Sequence, residues 1–258
     1  MMAHLNAALG SMHLGDIGPF KIERYKIDRV KKVSPGTVNR EIALLKHMFN
    51  LADQWGFFRG RNPMKGVKFL AENNLKFRFV TEAEEAKLLG HASPYLQDLI
   101  VFAINTGFRL GEILNLKWEE VDLEEATVRT LVRKTQQMID MPLNDQAARV
   151  VRGWKGIQKG EYVFYNPETG APWKDLWLGL KKACRKAGID GITWHTFRHT
   201  FASRLTRAGV DLVTVKELLG HSTISTTMRY AHTNRDAKTR AVRLLGVRSD
   251  KAVTLGMG

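Results

Sequence analysis

Residues 197–220 read FRHTFASRLTRAGVDLVTVKELLG, two helical stretches, Phe197 to Ala208 and Asp211 to Leu219, each closed by a glycine, Gly209 and Gly220. Glycine stops a helix there because it alone takes the left-handed conformation of a helix end without steric cost. Outward from this stretch the same character continues: Ile224 to Ala231 follows it, and Leu176 to Ala187, ended by Gly188, precedes it. The helical pattern breaks once. Ala126 to Val132 alternates and is rich in Thr and Val, Met138 to Pro142 can pair with it across Lys134 to Gln137, and Tyr162 to Phe164 adds a third short strand before the turn residues Asn166 to Gly170. Upstream, Leu110 to Lys117 forms a short helix and Ser93-Pro94 opens a longer one that runs to Thr106-Gly107. The expected class is mainly α with a small antiparallel β-sheet.

A separate unit precedes this one. Val38, Ile42, Leu45, Met48, Phe49 and Ala52 recur at three- and four-residue steps between a Ser34-Pro35 start and a Gly56 stop, the mark of a helix with one buried face. Arg40 and Lys46 lie between those positions, and Arg29, Lys31 and Lys32 lie just upstream. They read either as a face for DNA phosphates or as a solvated basic face. Ala71 to Phe79 reads as a linker, and Thr81-Glu82-Ala83-Glu84 supplies a capping box for a new helix. The boundary falls there, giving domains 1–76 and 77–258.

The chain carries 40 Lys and Arg against 26 Asp and Glu, a net charge of +14. Such an excess implies a densely anionic partner, nucleic acid first, because each neutralised phosphate releases condensed counterions. An anionic membrane surface is the rival. No run of about eighteen apolar residues is present to span a bilayer, Leu99 to Ile104 being far too short, and no secretory leader is visible, so the cytoplasm is the default compartment. The single cysteine, Cys184, reads as a packed thiol and excludes a disulfide framework. There is no carboxylate cluster of the kind that holds catalytic Mg²⁺ and no Cys/His set with zinc spacing. No metal and no cofactor are expected.

Breaking a phosphodiester without metal needs a nucleophile, cations for the non-bridging oxygens and an acid for the departing oxygen. Residues 77–258 contain all three types. Taken singly, each has a plain alternative: Arg109 as a surface cation, His195 and Arg198 as a solvent-facing pair, His221 as a helix cap, Tyr230 as a packed ring. The ordered series decides between them. It runs Thr106-Gly107-Phe108-Arg109-Leu110-Gly111-Glu112-Ile113-Leu114, then Lys134 with Pro142-Leu143 eight residues on, then His195-Thr196-Phe197-Arg198-His199-Thr200-Phe201-Ala202, then Leu218-Leu219-Gly220-His221-Ser222, and last Thr226-Thr227-Met228-Arg229-Tyr230. In this order and approximate spacing the chain resembles the tyrosine recombinase (phage integrase) family, strongly over about residues 79–235 and more weakly over 20–70.

The resemblance implies a two-domain DNA clamp, a helical core-binding domain followed by a catalytic domain, with double-stranded DNA held between them. It implies that Tyr230 attacks the scissile phosphate to form a 3'-phosphotyrosine and release a 5'-hydroxyl. Arg109 and Arg198 would clamp the phosphate, Lys134 would be the general acid, His195 would orient or deprotonate the tyrosine, and His221 would donate to a non-bridging oxygen. Glu112 would support this set by orienting His195 or an arginine, and Arg133 reads as a surface cation or a phosphate contact. Integration or excision of a mobile element by a homo-tetramer follows from the same resemblance. The core-binding segment has fewer helices than the family's usual four or more, and a helix from Arg235 to Leu245 is expected after Tyr230. Two other readings stay open: a DNA-binding homologue that has lost catalysis, and a type IB topoisomerase-like enzyme.

Overall fold

The computed structural model describes residues 1–58, 60–72, 77–132, 137–173, 176–233, 239, 242 and 243. Contacts divide the chain into two compact units, Met1–Lys76 and Phe77–Gly258. No helix among the described residues is long and apolar enough to cross a membrane.

The first unit is built from α1 (Met2–Leu9), α2 (Pro19–Val30) and α3 (Pro35–Gln54), with 3-10 turns at Leu14–Asp16 and Pro63–Gly66. Helix α3 begins where the Ser34 hydroxyl accepts from the Thr37 N–H and Pro35 pre-sets the first turn. Its stripe of Val38, Ile42, Leu45 and Phe49 meets Leu5, Ile22 and Met64 in one core.

Arg29 does not belong to the basic face that the sequence suggested. Its guanidinium donates from Nε and Nη2 to Glu41, each at 2.9 Å, and the Tyr25 hydroxyl donates to the same carboxylate at 2.8 Å. The Glu41 side chain is only 1% exposed, and a buried carboxylate must be paired. Arg40, Lys46 and Lys32 are exposed, and Lys31 makes a surface pair with Asp28 at 3.1 Å.

The Arg29 hydrogen bond holds the Glu41 carboxyl below its usual 4.5. A carboxylate with a depressed folded pKa contributes stability that is whole above the unfolded value and is lost as pH falls through the folded one. Glu41→Ala is therefore expected to cost about 3–5 kcal/mol near neutral pH and less in acid. Urea melts followed by helical circular dichroism at both pH values check this; an equal cost at both would contradict it.

The second unit runs α4 (Glu82–His91), α5 (Pro94–Thr106), α6 (Leu110–Leu114), β1 (Val121–Asp122), β2 (Thr127–Val132), β3 (Gln137–Pro142), α7 (Asp145–Lys155), α8 (Trp177–Ala187), α9 (Trp194–Ala208), α10 (Leu212–Leu218) and α11 (Ile224–Thr227), then a 3-10 turn over Met228–Thr233. Thr81 and Glu84 form the expected capping box at the start of α4. Helix α5 lies at the centre, packed against α7 and α9, while α4 packs on α8. Leu99, Phe102, Phe108, Phe164, Leu180 and Phe197 share its core. The Cys184 thiol is buried, and burial pushes its pKa up.

The sheet is antiparallel in the order β1-β2-β3. Val128 pairs with Met141 on the buried face, and the neighbouring pair Arg129 and Asp140 forms an exposed ion bridge at 2.7 Å. That alternation is the period of two that a sheet with one covered face requires.

Several local expectations shift. Helix α6 stops at Leu114, where the Asn115 side chain takes the Gly111 carbonyl at 2.6 Å and competes with the helical ladder. The Tyr162 to Phe164 run is not a strand but a single bridge to Lys117, with Val163, Phe164 and Tyr165 all buried beyond it. Helix α9 begins at Trp194, with the Thr196 hydroxyl accepting from the Thr193 N–H at 2.9 Å. Tyr230 stands on a 3-10 turn, since α11 tightens after Thr227 as helix ends commonly do. Of the helix expected from Arg235 to Leu245, all but Thr239, Val242 and Arg243 lies outside the described residues.

Candidate active site

Helix α5 ends at Gly107 with φ 68°, and a Cβ there would stand 2.5 Å from Phe201 Cδ1 and 3.1 Å from Leu219 Cδ2. Only glycine allows that conformation and that approach. The close approach carries the Gly107 carbonyl to Arg198, whose Nη1 donates to it at 2.8 Å, while Arg198 Nη2 donates to the Leu219 carbonyl. One side chain thus ties the end of α5 and the end of α10 to α9. Arg198 is 2% exposed. Burial and then the field of Arg109 bring its pKa down to about 10, so it stays cationic at neutral pH.

Arg109 precedes α6. Its Nη1 meets Glu112 at 2.7 Å, and its backbone N–H donates to the other oxygen of that carboxylate at 2.8 Å. The second oxygen also lies 3.9 Å from Arg198 Nη1. Glu112 therefore serves the two arginines rather than His195, which selects one of the two roles that the sequence allowed it. A carboxylate between two guanidiniums offsets their mutual repulsion and holds both in place.

His221 follows Gly220, and its Nδ1 shares a hydrogen bond with the Thr227 hydroxyl at 2.8 Å. Burial, then Arg198 and Arg109, push its pKa down to about 3, which keeps the ring neutral. His195, in the first turn of α9, is exposed on one side. Partial loss of hydration and then Arg198, Arg109 and Arg229 push it below its ordinary 6.5.

Tyr230 is 2% exposed. Burial raises its pKa, against the lowering fields of Arg198 and Arg229. The histidine at its hydroxyl is not His195 but His199, with Nδ1 to Oη 2.6 Å. His195 sits one helical turn earlier and meets the His199 ring edge-on, centroids 4.6 Å apart. The reason is register. The 3-10 turn that carries Tyr230 packs along α9 where position 199 faces it, and His195 belongs to the exposed opening of that helix.

Arg109, His195, Arg198, His221 and Tyr230 thus form one electrostatic neighbourhood. Lys134 and Arg133 lie outside the described residues, between Val132 of β2 and Gln137 of β3. Sequence reasoning missed His199, Arg229 and Phe77. For His199 a signal existed, its i+4 relation to His195 on one helix face. For Phe77, whose ring stands edge-on to Tyr230 at 5.1 Å, none did.

The family model described as Phage integrase family matches residues 78–236. The chain belongs to that family. Among its relatives, this phage integrase family chain is 28% identical over 232 residues to the integrase of Escherichia phage 186, covering 87% of this chain and 64% of that protein. To the integrase of Salmonella phage P22 it is 26% identical over 215 residues, covering 78% and 55%. The chain therefore spans less than two thirds of the length of these two integrases. It is 28% identical over 251 residues to the tyrosine recombinase XerC of Roseiflexus castenholzii, covering 87% and 79%.

Solved structures of similar fold include the Tn1549 transposon integrase in complex with transposon right end DNA, at TM-score 0.80 and 20% identity over 95% of this chain and 90% of that one. A lambda integrase dimer bound to a COC' core site matches at TM-score 0.75 and 18% identity over 87% and 86%. The mainly α architecture with a small antiparallel sheet is the one they share.

Proposed function

We propose that this chain is a site-specific DNA recombinase that cleaves and rejoins strands of double-stranded DNA through a phosphotyrosine at Tyr230. The observation that carries this reading is the arrangement around Arg198: a buried cation bridged through Glu112 to Arg109, with the Tyr230 phenol in its field. Keeping a guanidinium charged at 2% exposure costs the fold solvation energy, an expense that a phosphate ligand would offset.

In the proposed reaction the phenol oxygen attacks phosphorus, the bond to the 5'-oxygen breaks, and a 3'-phosphotyrosine forms. Arg109 and Arg198 hold the non-bridging oxygens and stabilise their charge as it redistributes. With the Thr227 hydroxyl assigned as the donor to Nδ1, a neutral His221 presents Nε2–H as a donor to one of those oxygens. His195 takes the phenol proton and Lys134 gives one to the departing 5'-oxygen. The phosphotyrosine retains the energy of the broken phosphodiester, and attack by a new 5'-hydroxyl reverses the step. Residues 1–76 are assigned to DNA binding, the whole chain's net charge of +14 favouring sequence-independent affinity, and strand exchange is assigned to a homo-tetramer that integrates or excises a mobile element.

The chemistry of the DNA ends tests this. On nicked duplexes made from the DNA that flanks the gene, cleavage is expected to leave protein on the 3' side and a 5'-hydroxyl that a polynucleotide kinase labels without prior phosphatase treatment. Ends that need phosphatase first would overturn the reading. Relaxation of any supercoiled plasmid by a monomer would favour a topoisomerase instead.

A further inference from the structure

We propose that His199 is the positioning residue for the nucleophile, its Nδ1 accepting a hydrogen bond from the Tyr230 hydroxyl and seating the phenol against α9. The inference rests on the reading of Tyr230 as the nucleophile and adds a residue to it.

The geometry is specific. Nδ1 and Oη lie 2.6 Å apart, and Phe77 packs against both rings, its centroid 5.1 Å from Tyr230 and 5.4 Å from His199. A phenol at 2% exposure loses its water and must find a partner in the protein. A phenol is a better donor than acceptor and a bare imidazole nitrogen is a strong acceptor, so the hydroxyl donates and His199 carries its proton on Nε2.

The surroundings keep His199 in that form. His195 meets its ring edge-on from α9, and the charges of Arg229, on the turn that carries Tyr230, and of Arg198 act on it. Burial first, then His195, Arg229 and Arg198, push its pKa down to about 4. So weak a base keeps no proton at neutral pH, and it orients the phenol without removing its hydrogen. The gain is preorganisation: one tyrosine rotamer is held before DNA arrives, and that ordering is not left to the attack itself. His195 keeps the role of proton acceptor assigned above, taking the proton when the hydroxyl leaves His199 for phosphorus, so the two histidines divide the work.

Two measurements test the division. In single-turnover cleavage of nicked flanking-sequence duplex at saturating DNA, His199→Phe keeps the ring shape, removes the acceptor and is expected to slow adduct formation about tenfold or more with DNA affinity unchanged. His199→Asn places an amide oxygen near the Nδ1 position. It is expected to recover the rate to within about threefold and to keep the pH profile of the parent. A His199→Phe rate within threefold of the parent, or a His199→Asn no faster than His199→Phe, overturns the proposal.

The second measurement needs no DNA and survives a variant that fails to fold. In protein labelled with ¹⁵N at histidine, His199 is expected as the Nε2–H tautomer, with an Nδ1 resonance that moves in Tyr230→Phe. A protonated Nδ1, or a resonance that stays in place, overturns it. The two readings fail separately. An adduct that persists in Tyr230→Phe refutes the nucleophile itself, whereas an inert Tyr230→Phe beside a fully active His199→Phe refutes only the positioning.

Discussion

Tyr230→Phe is expected to lower covalent attachment to DNA by about 10⁴-fold or more, the scale of removing a nucleophile, while DNA binding persists. Phenylalanine keeps the ring, and with it the edge contact to Phe77 at 5.1 Å; only the oxygen is lost. Loss of the hydrogen bond to His199 is expected to cost about 1 kcal/mol of stability, too little to unfold the unit. A denaturing gel of nicked duplex, beside a mobility shift under native conditions, separates the two effects. An adduct in the variant, with its peptide mapped to one of the other four of the chain's five tyrosines, would refute the assignment. Loss of binding together with the adduct would mean that the phenol is structural.

The arginines provide the second large effect, and the structure distinguishes them. Arg109→Ala and Arg198→Ala are each expected to slow cleavage by about 10²-fold or more, the scale of one charge-stabilising donor. Their effects on the fold should differ. Arg109 is a third exposed, with 35% side-chain exposure, and pairs with Glu112, so alanine there should be nearly neutral for stability. Arg198 is buried and donates to the carbonyls of Gly107 and Leu219. Alanine leaves both acceptors dry and is expected to cost about 2–4 kcal/mol. Thermal melts beside single-turnover rates check the pair. Equal melting temperatures for the two variants would refute the structural role given to Arg198, and rates within a few-fold of the parent would refute the clamp.

Much of this was legible before any coordinates because it is local. Glycine stops at Gly107, Gly188 and Gly209 all fall where the chain takes positive φ, a backbone requirement that only one residue type meets cheaply. The apolar spacing of α3 and the alternation around Val128 state which face is buried, since periods of 3.6 and 2 map directly onto helix and strand faces. Element ends were less legible. Helix α6 ends where the Asn115 side chain bonds the Gly111 carbonyl, and the Tyr162 to Phe164 run makes a single bridge to Lys117; neither is a property of periodicity.

The motif series named Arg109, His195, Arg198, His221 and Tyr230 but not their pairings. His199 lay in plain view within the quoted motif and received no role, because its partner stands on another element. Glu112 had two possible partners and Arg29 two possible settings. In each case the answer depended on how neighbouring elements pack and which rotamers that packing permits.

The amino-acid order alone therefore determined which stretches are helical and which of them a glycine closes, which faces seek the interior, the cationic balance and the family to which the chain belongs, all set by backbone conformation and residue chemistry over short distances. Only the tertiary structure decided that the phenol rests on His199, that Glu112 joins the two guanidiniums and that Arg29 is committed to Glu41. Contacts of that kind are made across packed elements, where a shift of about one ångström changes which donor meets which acceptor, and no short-range pattern encodes that distance.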